Sequence, residues 1–304
     1  MSAGLLFAFI APLVWALMNV IDKIVLSRRV RDPLAYMVVA GLVNILYGGA
    51  LALTAGWHGV RAQDLASSSA TGVCLGLQFY CYFTVLQAED ASHFIGTLFV
   101  FPVLVALASF ALLGERISAV GCLAMSLAIA GVMLLSARMR RQGAHAWWKI
   151  AVMVLLCAGY EFLTKLATVA LPERQGIAVT SIALGLTTLP CLLHRRTRAA
   201  FPAELRNLPW ALLSESLTLL AVVSVYLAMA RSKAGLVSAV GAVQPLAVVL
   251  FERFAQSRYR AIASDQALLP KLGAILLIAL GVALLCASEL GRPALSDGLS
   301  APGW

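Results

Sequence analysis

Apolar residues fall into runs of about twenty, separated by short segments carrying charge, proline or glycine, from residue 3 to residue 288. Twenty or so apolar residues are the length of helix that crosses the hydrocarbon of a bilayer. Ten runs of that kind are present, at residues 3–26, 34–56, 66–87, 92–113, 117–136, 147–170, 176–193, 208–230, 234–252 and 270–288. The breaks between them are sharp: Arg28-Arg29-Val30-Arg31-Asp32-Pro33, Glu89-Asp90, and the stretch from Arg138 to Lys149. Leu208-Pro209-Trp210 and Trp147-Trp148-Lys149 have the composition of helix starts with an interfacial tryptophan. The first run lacks the positive leader of a secretory signal and is too long for one, so it reads as a retained span. The tail from Glu289 to Trp304 is rich in Pro, Gly and Ser and reads as disordered.

Composition turns this pattern into a solvent assignment. Of the 304 residues, 61% are hydrophobic and 12% charged, with a mean hydropathy of +0.90, whereas soluble domains carry about 25% charged residues. Such a chain cannot hide its apolar surface from water, so its solvent is lipid and the fold class is all-α, a polytopic membrane protein. Ten spans leave no length for a soluble domain. The net charge of +9 sits mainly in short loops and lacks the aromatic interleaving of a nucleic-acid surface. It therefore argues orientation. Loops after the first, fifth, seventh and ninth spans hold 15 of the 23 Lys and Arg, against 6 on the opposite side, which places both termini outside the cytoplasm. The six cysteines (Cys74, Cys81, Cys122, Cys157, Cys191, Cys286) lie in apolar runs without a Cys-x-x-Cys pair and read as buried, inert thiols.

The chain also repeats itself. A shift of 142 lays Ala16–Lys23 over Ala158–Lys165, so that Asn19 meets Glu161, Asp22 meets Thr164 and Lys23 meets Lys165. A shift of 143 lays Ala91 over Ala234 and Pro102 over Pro245, and a shift of 150 lays Gly131-Val132 over Gly281-Val282. The change in offset implies seven extra residues in the loop between Arg253 and Lys271. The halves are then residues 1–140 and 141–290, with 291–304 as the tail. Five spans per half is an odd number, which forces the second repeat to enter the membrane inverted. Inverted repeats are typical of secondary transporters, whose site lies near the midplane between the halves.

Particular residues resemble the drug/metabolite transporter superfamily, in its EamA-like ten-helix branch. They are Trp15-Ala16-Leu17-Met18-Asn19-Val20-Ile21-Asp22-Lys23, Pro102 followed by Leu112-Leu113-Gly114-Glu115-Arg116-Ile117-Ser118, and Gln244-Pro245-Leu246. The second half departs from the pattern: it has Phe251-Glu252-Arg253-Phe254 where a second Leu-Gly-Glu-Arg would fall. The resemblance implies a carrier of a small metabolite or amphipathic compound, working by alternating access without ATP, in a bacterial cytoplasmic membrane, and with termini inside, against the charge count. No Gly-x-x-x-x-Gly-Lys-Ser/Thr phosphate loop is present, in keeping with this.

Ionisable residues inside spans cost about 2.5–3.5 kcal/mol each on insertion scales and are functional candidates for that reason. Five occur: Asp22, Lys23, Glu161, Lys165 and Glu215. Glu161 and Lys165 are four apart on one helix face, as are Asn19 and Lys23. Both faces are expected to point to the pseudo-two-fold axis, with the two lysines able to bind an anionic group. Burial disfavours a charge on Glu161 while a neighbouring ammonium favours it, which suits exchange of a proton or a cationic group. The bland alternative is a set of neutralised pairs that hold helices together, with Lys23 snorkelling to headgroups. Gln78, Tyr82 and Gln244 complete the expected substrate-binding set, and Tyr80, Ser214, Ser216 and Thr218 are weaker candidates. Pro102 and Pro245 are expected to break their helices near the cavity.

An intramembrane enzyme is the rival from another class. It needs a nucleophile–His pair, paired aspartates or a metal cluster, and the four histidines (His58, His93, His145, His194) form none of these in sequence. The expectation is therefore no enzyme, no cofactor and no metal. The partners expected are a small-molecule or amphipathic substrate and the lipid bilayer, in a monomer or homodimer, with proton coupling as an option. A flippase for a lipid or polyprenyl-phosphate-linked sugar, its headgroup held by Lys23 and Lys165, is the alternative transport reading.

Overall fold

The computed structural model describes residues 3–88, 91–98, 101–113, 118–136 and 147–256, together with eight positions between 273 and 284. Among the described residues the fold is all-helical. The helices are α1 (Ala3–Arg28), α2 (Pro33–Thr54), α3 (Leu65–Ala88), α4 (Ala91–Leu98), α5 (Phe101–Leu113) and α6 (Ala119–Ser136). They continue with α7 (Trp147–Ala170), α8 (Glu173–Thr188), α9 (Arg195–Glu204), α10 (Leu208–Arg231), α11 (Ala234–Gly241) and α12 (Gln244–Gln256). Seven helical stretches are long and apolar enough to cross a membrane, and Phe101–Leu112 and Ala119–Gly131 are shorter apolar helices. The tenth expected span, at 270–288, falls largely outside the described residues, as do Gly114–Ile117 of the motif ending the fourth run, His145, Cys286 and the tail 291–304.

Local chemistry explains the boundaries. Asp32 has extended backbone and its carboxylate accepts from the N–H groups of Leu34 and Ala35 at 3.1 and 3.0 Å, capping α2, while Pro33 takes the first helical position. Outward leucines such as Leu46, Leu53, Leu155 and Leu220 are exposed on long helices. In lipid such side chains are solvated, so helix association rests on close packing rather than on apolar burial.

That packing is made by glycine. The helix α8 lies against both α2 and α3. A Cβ built at Gly48 of α2 lies 2.8 Å from the Ala178 carbonyl oxygen, and one built at Gly76 of α3 lies 2.6 Å from Thr187 Cβ. Only glycine permits these approaches. The other extensive contacts pair α1 with α10 and α3 with α7, and a hydrophobic core shared by all of them runs through Ala16, Phe83, Tyr160 and Tyr226.

The ninth expected span is interrupted: a turn at Ala242-Val243 separates α11 from α12, which resumes at Gln244-Pro245. In the fourth, residues 99–100 between α4 and α5 lie outside the described residues, and with them the break expected beside Pro102. A proline removes an N–H and clashes with the preceding turn, and Pro245 stands second in the helix it opens. The short α9 with its flanking 3-10 turns links α8 to α10 and does not belong to any span expected from the hydropathy pattern. It begins with Arg195-Arg196-Thr197-Arg198.

Candidate functional site

The helices α1, α3, α7 and α10 line a small cavity of about 90 Å³, to which α4, α5 and α12 also contribute residues. Trp15, Leu75, Phe79, Leu98, Phe101 and Met153 supply much of its apolar wall. Its polar lining is Asn19 from α1, Gln78 and Tyr82 from α3, Tyr160 and Glu161 from α7, Thr218 from α10 and Gln244 from α12. Glu161 is the charged group among these lining residues and is 5% exposed.

Each polar group has a definite state. The Ser238 hydroxyl of α11 donates to Glu161 Oε2. The Gln78 amide is committed at both ends: Nε2 donates to the Leu156 carbonyl at 3.0 Å and Oε1 accepts from Cys157 Sγ at 3.3 Å. The Tyr82 hydroxyl lies 2.9 Å from both Asn19 Oδ1 and Asp22 Oδ2. It has one proton, so it donates to one of them at a time. Two cavity atoms are left over: Asn19 Nδ2 and Tyr160 Oη are buried with no hydrogen-bond partner. A buried polar group without a partner costs roughly 1–3 kcal/mol, and both of these belong to residues of the cavity lining. The Trp15 ring meets Tyr160 edge-on at 6.1 Å and fixes the phenol's direction.

Of the nine residues expected at the site, Asn19, Gln78, Tyr82, Glu161 and Gln244 line this cavity. Asp22 lies behind it, reached through Tyr82 and also accepting from Ser214 Oγ at 2.6 Å. Glu215 lies further back, where its Oε2 accepts from Asn44 Nδ2 at 2.7 Å. Both carboxylates are 1% exposed. Among the weaker candidates, Thr218 joins the lining, whereas Ser216 is exposed and bonds Tyr47. Trp15, Tyr160 and Ser238 were not singled out from the sequence. Tyr160 had a visible signal, since it adjoins Glu161; Ser238 had none, because only the fold brings α11 onto α7.

The two lysines have another placement. Lys23 Nζ donates to the carbonyls of Leu86 and Gln87 at 2.9 and 3.4 Å, at the end of α3. Lys165 Nζ donates to the carbonyls of Met229 and Ser232 at 2.8 and 2.9 Å, at the end of α10. Neither is in the cavity lining, so the expected pair of ammonium groups facing one substrate is not what the fold assembles. The physical reason is local: the last carbonyls of a helix lack intrahelical partners and carry the negative end of its dipole, and a cation within reach satisfies both. Among the described residues no cluster of His, Cys, Asp and Glu could hold a metal ion.

Helices long enough to span and a core they share define an integral, multi-pass membrane protein. Residues 2–137 match the model of the EamA-like transporter family, a domain of the drug/metabolite transporter superfamily. The first half of the chain is thus similar to a family of membrane transporters of small compounds. A solved structure described only as a crystal structure of a protein superposes with a TM-score of 0.69, at 20% identity, over 96% of this chain and 99% of that one; this is likeness of fold alone. No curated protein matches the chain.

Proposed function

We propose that the protein is a secondary transporter of the bacterial cytoplasmic membrane, built from two inverted five-helix repeats that alternate access to the cavity around Glu161. The contact pattern supports the repeat. The internal shift carries α1 onto α7 and α3 onto α10, so the pairs α1·α10 and α3·α7 exchange with one another while α2·α8 maps onto itself. The lysine contacts to the ends of α3 and α10 exchange in the same way. The family match ends at residue 137, close to the boundary the repeat sets at 140.

The observation that carries the substrate reading is a buried carboxylate beside two unpartnered polar groups, Asn19 Nδ2 and Tyr160 Oη, within aromatic and aliphatic walls. Such a site fits a small amphipathic compound with a cationic group for Glu161, a hydrogen-bond acceptor for Asn19 or Tyr160, and an apolar body. The headgroup-flippase reading requires a cation for phosphate in the cavity, and the lysines that were to supply it sit at helix ends. Opening requires that α4, α5, α11 and α12 move against the four enclosing helices, and the turn between α11 and α12 suits that motion because the backbone ladder is already interrupted there.

Uptake into proteoliposomes tests the reading, with a panel of small amines, amino acids and sugar phosphates, with and without a pH gradient. Selective uptake of compounds with a cationic group, lost in Glu161→Gln, is the expected result. Uptake confined to anionic compounds overturns it.

A further inference from the structure

We propose that the face formed by α9 and the α1–α2 loop is a binding site for anionic phospholipid headgroups. The two segments lie more than 160 positions apart in sequence, and the fold locks them together. Glu204 Oε1 accepts from the backbone N–H groups of Arg31 and Asp32 at 2.9 and 3.2 Å. Asn207 Nδ2 donates to Glu204 Oε2 at 2.7 Å and to the Arg29 carbonyl at 3.5 Å. Asp32 caps α2 and lies 3.6 Å from Arg196 Nε. The two acidic residues of these segments are therefore turned inward, at 6% exposure for Asp32 and 2% for Glu204.

Arginines remain on the outside. Arg29, Arg31, Arg195, Arg196, Arg198 and Arg206, on or beside these two joined segments, are all exposed. Its arginines come from the loops after the first and seventh expected spans, both assigned to the cytoplasmic side by the charge bias. The Arg29 guanidinium stacks over Trp210 at 5.1 Å, which holds it at the level of an interfacial tryptophan. His194 caps α9 without a side-chain hydrogen bond, so the first N–H groups of that helix retain the capacity to bind an anion. Leu193, Leu205 and Leu208 are exposed at 84%, 42% and 38% beside the arginines.

That mixture selects the partner. A soluble anion has no use for exposed leucines at the rim of an arginine cluster. A lipid has both parts, a phosphate for the guanidinium groups, which bind it with two parallel hydrogen bonds, and acyl chains for Leu193 and Leu208. Polybasic segments beside membrane spans are drawn to anionic leaflets for the same reason.

Native mass spectrometry of the purified full chain, released from micelles containing equal phosphatidylglycerol and phosphatidylcholine, tests the site. The expected result is preferential retention of phosphatidylglycerol, reduced at least threefold in the double variant R195Q/R198Q and kept in R195K/R198K. A control double variant, R61Q/R174Q, removes the same charge at the opposite ends of α2 and α8 and is expected to retain the lipid as the parent does. Equal retention of the two lipids by the parent overturns the proposal. So does an equal loss in the control, which reduces the effect to net charge. Displacement of phosphatidylglycerol by an equal concentration of inorganic phosphate makes the site one for a free anion and also overturns it. An unfolding midpoint shared by the parent and R195Q/R198Q separates lost binding from lost fold.

Discussion

Asn19 and Glu161 occupy equivalent positions in the two halves, and so do Lys23 and Lys165 one helical turn later. The two pairs behave differently. The lysines retain one chemistry and one job, since each donates to two carbonyls at the end of the helix two spans further on. The cavity residues do not match: Asn19 meets Tyr82, while Glu161 meets Ser238. Closing a helix end is the same physical problem in both halves, because each helix has the same orphaned carbonyls. Binding a substrate is not, since a small molecule lacks the two-fold symmetry of the scaffold. Sameness along the repeat therefore accompanies architecture here, and divergence accompanies the proposed site.

Removing the lysines is the hardest test of that comparison and carries the largest expected effect. Lys23→Met and Lys165→Met each remove two charged hydrogen bonds of about 1.5–3 kcal/mol apiece, and should destabilise the protein by about 2–4 kcal/mol after neighbouring groups relax. Thermal unfolding in detergent measures it. A loss in one variant without a loss in the other breaks the equivalence of the two ends.

The helix that maps onto its partner across the repeat comes next. Gly76→Val drives a side chain into Thr187 of α8 and should cost about 1–3 kcal/mol by overpacking. Gly49, with nothing within 4 Å of a built Cβ, should accept Ala without loss. If both substitutions are tolerated equally, close approach of α3 and α8 does not hold the bundle together.

Glu161→Gln should leave the unfolding midpoint near that of the parent while lowering uptake at least tenfold, a loss of about 1.4 kcal/mol in transition-state terms. Uptake unchanged by this variant makes Glu161 part of the scaffold, and the contrast with Asn19 then has no functional meaning.

The smallest expected effect is the sharpest. Tyr160→Phe removes a buried hydroxyl with no partner and the penalty it carries, so stability should hold or rise by about 1 kcal/mol, while uptake falls a few-fold. Tyr82→Phe removes a hydroxyl that serves Asn19 and Asp22, and should cost about 1 kcal/mol in stability. The reverse ranking of the two tyrosines in the unfolding measurement would show that the leftover donor is not at Tyr160.

Much of this protein was legible along the chain. Among the described residues, helices long and apolar enough to cross a membrane stand at seven of the ten predicted positions, because span length follows from bilayer thickness and from hydropathy alone. The break before Pro245 could be foreseen, since the loss of an N–H is a property of one residue. Asn19, Gln78, Tyr82, Glu161 and Gln244 could be selected because polar groups in lipid need partners wherever they are placed.

What could not be read is where each polar group finds its partner. An i, i+4 spacing put Glu161 and Lys165 on one face, yet a lysine is long enough to leave that face and reach the end of α10. The isolated helix holds no record of a neighbour's carbonyls. For the same reason α9 passed as a charged loop, and the arginines around Arg31 and Arg198 became one surface only when Glu204 tied their segments together. Hydropathy is a local property and is written locally; hydrogen bonds between side chains 60 to 190 positions apart, such as Tyr82 or Ser214 to Asp22, exist only once the helices have packed.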